Sequence, residues 1–145
     1  MAIQPYLFFN GRTEEALEFY RQTLGAEILM KMRFQEAPDS PPGVKPPPDA
    51  IMHSSFRIGD SQVMASDGMA PNGRPAFAGF SLTFEAKDPA DAKRRFDALA
   101  QGGQVQMPLG ETFFAKSFGA VADKFGVSWM VIAGQKGDPR QEPVQ

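Results

Sequence analysis

Two stretches, Phe8-Phe9-Asn10-Gly11-Arg12-Thr13-Glu14-Glu15-Ala16 and Thr83-Phe84-Glu85-Ala86-Lys87-Asp88-Pro89-Ala90-Asp91, decide the fold. Each leaves an apolar, strand-like run, turns, and enters a helix. Thr13 and Asp88 are the expected N-caps and lie 75 residues apart. Glu14 and Glu15 place acids in the first turn of one helix, where the dipole favours them, and Pro89 takes the first position of the other. Apolar stripes follow at helical spacing: Ala16, Leu17, Tyr20 and Leu24, then Phe96, Leu99 and Ala100. Gly25 ends the first helix and Gly102-Gly103 the second, with Gly25 and Gly102 separated by 77 residues. The two halves match in pattern more than in identity. The pattern reads as an internal duplication rather than a chance likeness of two α+β halves.

Around each helix the chain reads as strands. In the first half these cover Ile3–Phe9, 26–35, Ile51–Ile58 and 62–66, with Gly59-Asp60 as a hairpin turn. Along Ile51–Ile58 alternation places Met52, Ser54, Phe56 and Ile58 on one face and Ile51, His53, Ser55 and Arg57 on the other. In the second half strands are expected at 79–85, 104–107, 111–121 and 127–133, with Phe80, Leu82 and Phe84 sharing a face and Asp123-Lys124-Phe125-Gly126 as the last turn. Each half is therefore a βαβββ unit. The modules span about 3–66 and 79–133, joined by a connector at 67–78, in a single domain over 1–133. Residues 36–49 carry six prolines between Pro38 and Pro48, which excludes helix and ladder pairing and predicts a loop. Such a loop is a surface insertion or a lid. Residues 134–145 read as a loose tail.

Composition narrows the function classes. The chain has 145 residues, 42% hydrophobic and 22% charged, which is ordinary for a globular domain. Fifteen Lys/Arg against seventeen Asp/Glu give a net charge of −2 and no electrostatic reason to expect nucleic acid. Lys93-Arg94-Arg95, the one basic run, falls within a helix and reads as its solvated face. With no cysteine there is no disulfide, thiolate metal site or cysteine nucleophile, and with one histidine no site needs two from one subunit. No apolar run is long enough for a bilayer and the N-terminal residues do not read as a secretory signal. The expectation is a cytoplasmic protein without membrane or nucleic-acid partners.

The duplicated βαβββ pattern resembles the vicinal oxygen chelate superfamily of glyoxalase I, bleomycin-resistance proteins and extradiol dioxygenases. The PhnB-like branch is the nearer match. It is carried by Pro5-Tyr6-Leu7-Phe8-Phe9-Asn10-Gly11, Glu15-Ala16-Leu17-Glu18-Phe19-Tyr20, Leu24-Gly25-Ala26-Glu27, Met52-His53, Met64-Ala65-Ser66-Asp67, Gln106-Met107-Pro108-Leu109 and Asp123-Lys124-Phe125-Gly126-Val127-Ser128-Trp129, over about residues 3–133. The resemblance implies an α+β fold in which two tandem βαβββ modules form a curled mixed sheet around a pocket. It also implies a homodimer. Relatives of this branch often carry a label as 3-demethylubiquinone methyltransferases or sit near phosphonate-utilisation genes.

Metal-binding members hold one divalent ion with His and Glu from the first and last strands of each module. Carried onto this chain, those positions fall near Gln4, Pro5 or Tyr6, near Phe80, near Met64 or Ser66, and near Met130. None is His or Glu, so no metal and no cofactor are expected. The implied pocket is lined by Tyr6, Leu7, Phe9, His53, Met64, Ser66, Phe80, Leu82, Trp129 and Met130, unless these simply fill the core between sheet and helix. Candidate catalytic groups are His53, Asp67 and Glu111. His53 is otherwise a structural or surface imidazole, and Asp67 otherwise caps a turn. Glu111, next to Phe113-Phe114, works as an acid or base if the rings enclose it and is otherwise an exposed strand start.

Three functions follow from this reading. The first is a metal-free binder of a small, largely apolar molecule, of the sequestering or resistance type. The second is a metal-dependent or metal-free lyase, isomerase or dioxygenase. Methyl transfer on a Rossmann-type fold is disfavoured, since Asn10-Gly11-Arg12 holds one glycine where a phosphate-binding turn needs several.

Overall fold

The computed structural model describes residues 1–36, 47–68 and 76–136. The chain divides into two compact units, Met1–Pro75 and Ala76–Gln145. Each is one helix on a four-stranded mixed sheet, the α+β pair of similar modules that the sequence predicts.

In the first unit the elements are β1 (Tyr6–Phe8), α1 (Thr13–Leu24), β2 (Glu27–Arg33), β3 (Ile51–Ile58) and β4 (Ser61–Ser66), in the sheet order β1-β4-β3-β2. β1 runs parallel to β4, and the other neighbours are antiparallel. One face is the core. Phe9 and Phe56 flank the fully buried Tyr20 of α1, with ring centroids 6.2 and 5.7 Å away. Each such ring pair contributes roughly 0.5–1.5 kcal/mol beyond the area it buries. Gly25 closes α1 at φ 68°, a left-handed cap that only glycine adopts without strain.

The start of α1 departs from expectation. Arg12, not Thr13, holds the N-cap position, and its side chain makes no capping bond. Asp67, just past β4, supplies the acceptor instead. Its Oδ1 accepts from the backbone N–H groups of Gly11 (2.8 Å) and Thr13 (2.9 Å), and its Oδ2 from Ile51 N–H (2.8 Å). One buried carboxylate thus joins the first helix, β3 and the end of β4.

The second unit holds β5 (Leu82–Glu85), α2 (Pro89–Ala100), β6 (Gln104–Gly110), β7 (Ala115–Ala122) and β8 (Ser128–Gln135), in the order β5-β8-β7-β6. Here the helix caps itself: Asp88 accepts from Asp91 N–H at 2.7 Å, with Pro89 next, as predicted. Gly119 faces α2, where a Cβ would lie 2.9 Å from Phe96 Cε2, so the missing side chain lets helix and sheet close. Pro108 is tolerated because β6 is an edge strand. Asp123 repeats the bracing role of Asp67. Its Oδ1 accepts from Phe125 and Val127 N–H, and its Oδ2 from Trp129 Nε1 at 2.9 Å.

Several boundaries move. β1 and β5 are shorter than predicted, and Phe80 lies outside β5. β7 begins at Ala115 because the Thr112 hydroxyl accepts from Phe114 and Ala115 N–H and turns the chain first. β8 runs to Gln135, beyond the predicted tail start, and Lys136 N–H still bonds Phe114 O. Phe34–Glu36 is a 3-10 turn tied to the far side of the Pro-rich segment by Gln35 N–H to Pro48 O at 3.0 Å. The remainder of that segment, 37–46, and residues 69–75 and 137–145 of the predicted connector and tail lie outside the described residues.

Asp67→Ala strands three backbone donors, two of them in buried residues. The expected cost is about 3 kcal/mol or more. Asp67→Asn keeps one oxygen but turns an N–H toward another donor, at an expected cost of about 1–3 kcal/mol. Denaturant unfolding followed by circular dichroism checks both, and an unchanged midpoint for the alanine variant overturns the bracing role.

Candidate functional site

The core face of the first sheet is set by Phe9, Phe56 and α1, so alternate residues face the other way. The register aligns Tyr6 with Met64, Met64 with Ser55, and Ser55 with Met30, which makes a row across all four strands. Beside it run Phe8, aligned with Ser66, and His53, aligned with Met32. A bulge between Ile28 and Met30 decides the membership of β2. It sends Ile28 opposite Phe56 while keeping Met30 and Met32 with Ser55 and His53.

A phenol–imidazole pair lies at the centre. Tyr6 Oη is 2.8 Å from His53 Nδ1, and the rings are 5.6 Å apart. Tyr6 also stacks on Phe8, with centroids 4.9 Å apart and planes 20° from parallel. Phe8 is 50% exposed, so one ring of the stack stands open. Burial pushes the Tyr6 phenol above its ordinary value, more than the Ser66 hydrogen bond pulls it down. The phenol is therefore neutral at physiological pH. Ser66 is itself held by the backbone: its hydroxyl oxygen accepts from Gly68 N–H at 2.9 Å, and its one hydrogen is shared between the phenol and Ile51 O, 3.3 Å away.

The second sheet repeats the frame with other residues. Thr83 aligns with Met130, Met130 with Ala120, and Ala120 with Met107. Beside them run Glu85, Ile132 and Phe118. Thr83 and Phe118 thus stand where the first unit has Tyr6 and His53. This unit has the methionines without the hydrogen-bonded pair.

Of the residues assigned to a pocket, Tyr6, His53, Met64 and Ser66 meet on this one face. Leu7 and Phe9 point to the opposite, buried face. Trp129 is buried, with its indole N–H held by Asp123. Leu82 is aligned with Trp129, Met130 is on the open face of the second unit, and Phe80 meets Phe77 edge-on outside the sheet. Asp67 gives both its oxygens to backbone amides. Glu111 is 71% exposed and reaches Lys136 Nζ at 3.4 Å, solvated rather than enclosed by the phenylalanines. Sequence reasoning missed Phe8, Met30 and Met32. The alternation Met30-Lys31-Met32 was the available signal for the last two.

A divalent ion of the glyoxalase type needs imidazole and carboxylate donors on the first and last strands. The first unit offers Tyr6, Met64 and Ser66 there. In the second unit the register that aligns Tyr6 with Met64 corresponds to Thr83 with Met130, which replaces Phe80 as the matching position. Glu85 is the one carboxylate in this set. Thioethers are soft donors that suit copper(I), not hard divalent ions. Among the described residues no three His, Cys, Asp or Glu side chains converge. These residues do not fit the ion.

Comparison with known proteins agrees with this architecture. The family model described as 3-demethylubiquinone-9 3-methyltransferase matches residues 1–132. Protein YjdN of Escherichia coli strain K12 is 42% identical over 153 aligned positions, covering all of both chains. The crystal structure of protein PA1353 from Pseudomonas aeruginosa is 40% identical with a TM-score of 0.81, over 94% of this chain and 99% of that one. A Bacillus cereus PhnB protein, described as a putative 3-demethylubiquinone-9 3-methyltransferase, is 29% identical with a TM-score of 0.76, over 92% and 100% of the two chains. A glyoxylase/bleomycin resistance protein/dioxygenase domain from Frankia shares the fold at 16% identity and a TM-score of 0.65, over 95% of each chain. The chain belongs to the 3-demethylubiquinone-9 3-methyltransferase family and shares the fold of a glyoxylase/bleomycin resistance protein/dioxygenase domain.

Proposed function

We propose that this protein binds a small, largely apolar molecule on the open face of its first unit, and that it has lost the superfamily's metal centre. The observation that carries this reading is the composition of that face. Where the fold's metal ligands would stand, Tyr6 and Met64 stand instead, beside Phe8, Met30, Met32 and His53. Stacked rings offer a flat apolar platform, and thioethers adapt their shape to what lies on it. Methyl transfer gains no support from this architecture. The helices connect strands of mixed sheets, and no glycine-rich turn opens either one.

The Tyr6–His53 pair favours one second reading, a metal-free lyase or isomerase. A neutral phenol hydrogen-bonded to an imidazole is a competent proton donor, so Tyr6 would act as the acid of such a reaction. Asp67 and Glu111 stand apart from this pair, the first committed to the backbone and the second to solvent.

We also propose that the protein is a homodimer. The edge strands β2 and β6 leave Ile28, Leu29 and Met30, and Val105 and Met107, substantially exposed. Apolar edge strands with open backbone groups favour pairing with another chain.

Elemental analysis of the purified, untagged protein is expected to find no stoichiometric metal. Manganese, iron, cobalt, nickel and zinc are expected to leave the melting temperature unchanged, and small planar aromatics to raise it. Stoichiometric metal with clear stabilisation defeats the metal-free reading. For the acid role, tyrosinate absorbance of the wild type minus that of Tyr6→Phe is expected to titrate above the ordinary pH of about 10. The burial of the phenol favours its protonated form; a midpoint at or below neutral pH, where the tyrosinate would already be formed, removes Tyr6 as the neutral acid. Sedimentation equilibrium is expected to return twice the chain mass, and a monomer at high concentration refutes the dimer.

A further inference from the structure

We infer that the Tyr6 phenol locks His53 as the tautomer with its proton on Nε2, and that the ligand of this face is a flat aromatic carrying an acceptor oxygen. The inference rests on the binding reading proposed above and names the chemistry of what is bound.

The proton inventory of the pair carries the argument. Tyr6 Oη and His53 Nδ1 are 2.8 Å apart, so one hydrogen lies between them. The neutral phenol has one hydrogen to place. Ser66 acts on the phenol as a donor, the direction that lowers its pKa, and its own oxygen already accepts from Gly68 N–H, so it does not take the phenol hydrogen. The nitrogen lone pair is the stronger remaining acceptor, so the phenol donates and Nδ1 accepts. A neutral imidazole carries one N–H, which must then be on Nε2. No described residue bonds Nε2. A half-buried donor without a protein acceptor is satisfied by solvent or by a ligand.

The surroundings select the ligand. The donor stands next to the Tyr6–Phe8 stack and opposite Met32. An aromatic ring laid on that stack brings a ring-borne carbonyl oxygen toward the imidazole. A protonated Nε2 has no lone pair for a metal, which agrees with the donor set of this face. In the second unit Phe118 occupies the matching place and offers no donor, so the selectivity belongs to the first unit.

The chain has a single histidine, so nitrogen-15 spectra of the intact protein report one imidazole. The Nε2–H tautomer is expected in the wild type, and a mixture in Tyr6→Phe. Finding Nδ1–H in the wild type overturns the inference. The ligand class is tested by calorimetry with acetylnaphthalene and isopropenylnaphthalene, which differ only in oxygen against methylene at one position. The ketone is expected to bind about three- to tenfold more tightly, the range of one net hydrogen bond. His53→Phe is expected to erase that preference, bringing the ratio of the two affinities to about one. Equal binding of both probes to the wild type overturns the inference and leaves the binding reading standing. Failure of both to bind overturns the two together.

Discussion

The first unit is organised around the Asp67 carboxylate. A helix start leaves backbone N–H groups unsatisfied, and burying them without acceptors costs more than a small unit can spare. Here the chain uses one acid from the end of β4 to satisfy the turn before α1, the first residue of α1, and the first residue of β3. That places β1 and β3 on either side of β4 and orients the helix across one face. The opposite face is left for Tyr6 and His53, 47 residues apart in sequence and 2.8 Å apart in space. Asp123 does related work in the second unit, where a carboxylate holds a hairpin turn and the indole of Trp129.

Duplication makes the open faces comparable position by position. Both rows keep a methionine on the last strand, Met64 and Met130, and another on the edge strand, Met30 and Met107. The phenol–imidazole pair is present in one row alone. The frame is thus repeated while the hydrogen-bonding pair is not. The superfamily fold provides strand positions where a metal ligand can stand. In this chain those positions hold an aromatic, a hydroxyl and thioethers, with one carboxylate on the second sheet.

Several surface ion pairs decorate the units without defining them. Glu14 meets both Lys31 and Arg33 across α1 and β2, and Arg57 meets Glu27. Exposed pairs of this kind contribute roughly 0–1 kcal/mol each. The buried carboxylates and the Phe9–Tyr20–Phe56 cluster outweigh them, because their groups have no water to fall back on.

Sequence alone determined the duplicated βαβββ pattern, the self-capped second helix and the glycine that closes the first. These follow from local rules: apolar periodicity, the caps that helix ends need, and the φ that glycine permits. It also determined that neither cysteine nor a second histidine is available, and it singled out Tyr6, His53, Met64 and Ser66, which the sheet brings onto one face. Tertiary structure decided the rest. Thr13 reads locally as a cap, but a distant carboxylate outcompetes its hydroxyl for the helix start. Leu7 and Phe9 read as pocket wall, but strand alternation turns them into the core while Tyr6 and Phe8 face outward. Met30 and Met32 join the face only because a bulge resets the register of β2. The Tyr6–His53 bond has no local signature, since a hydrogen bond across strands depends on register, and register is set by the packing of the whole sheet.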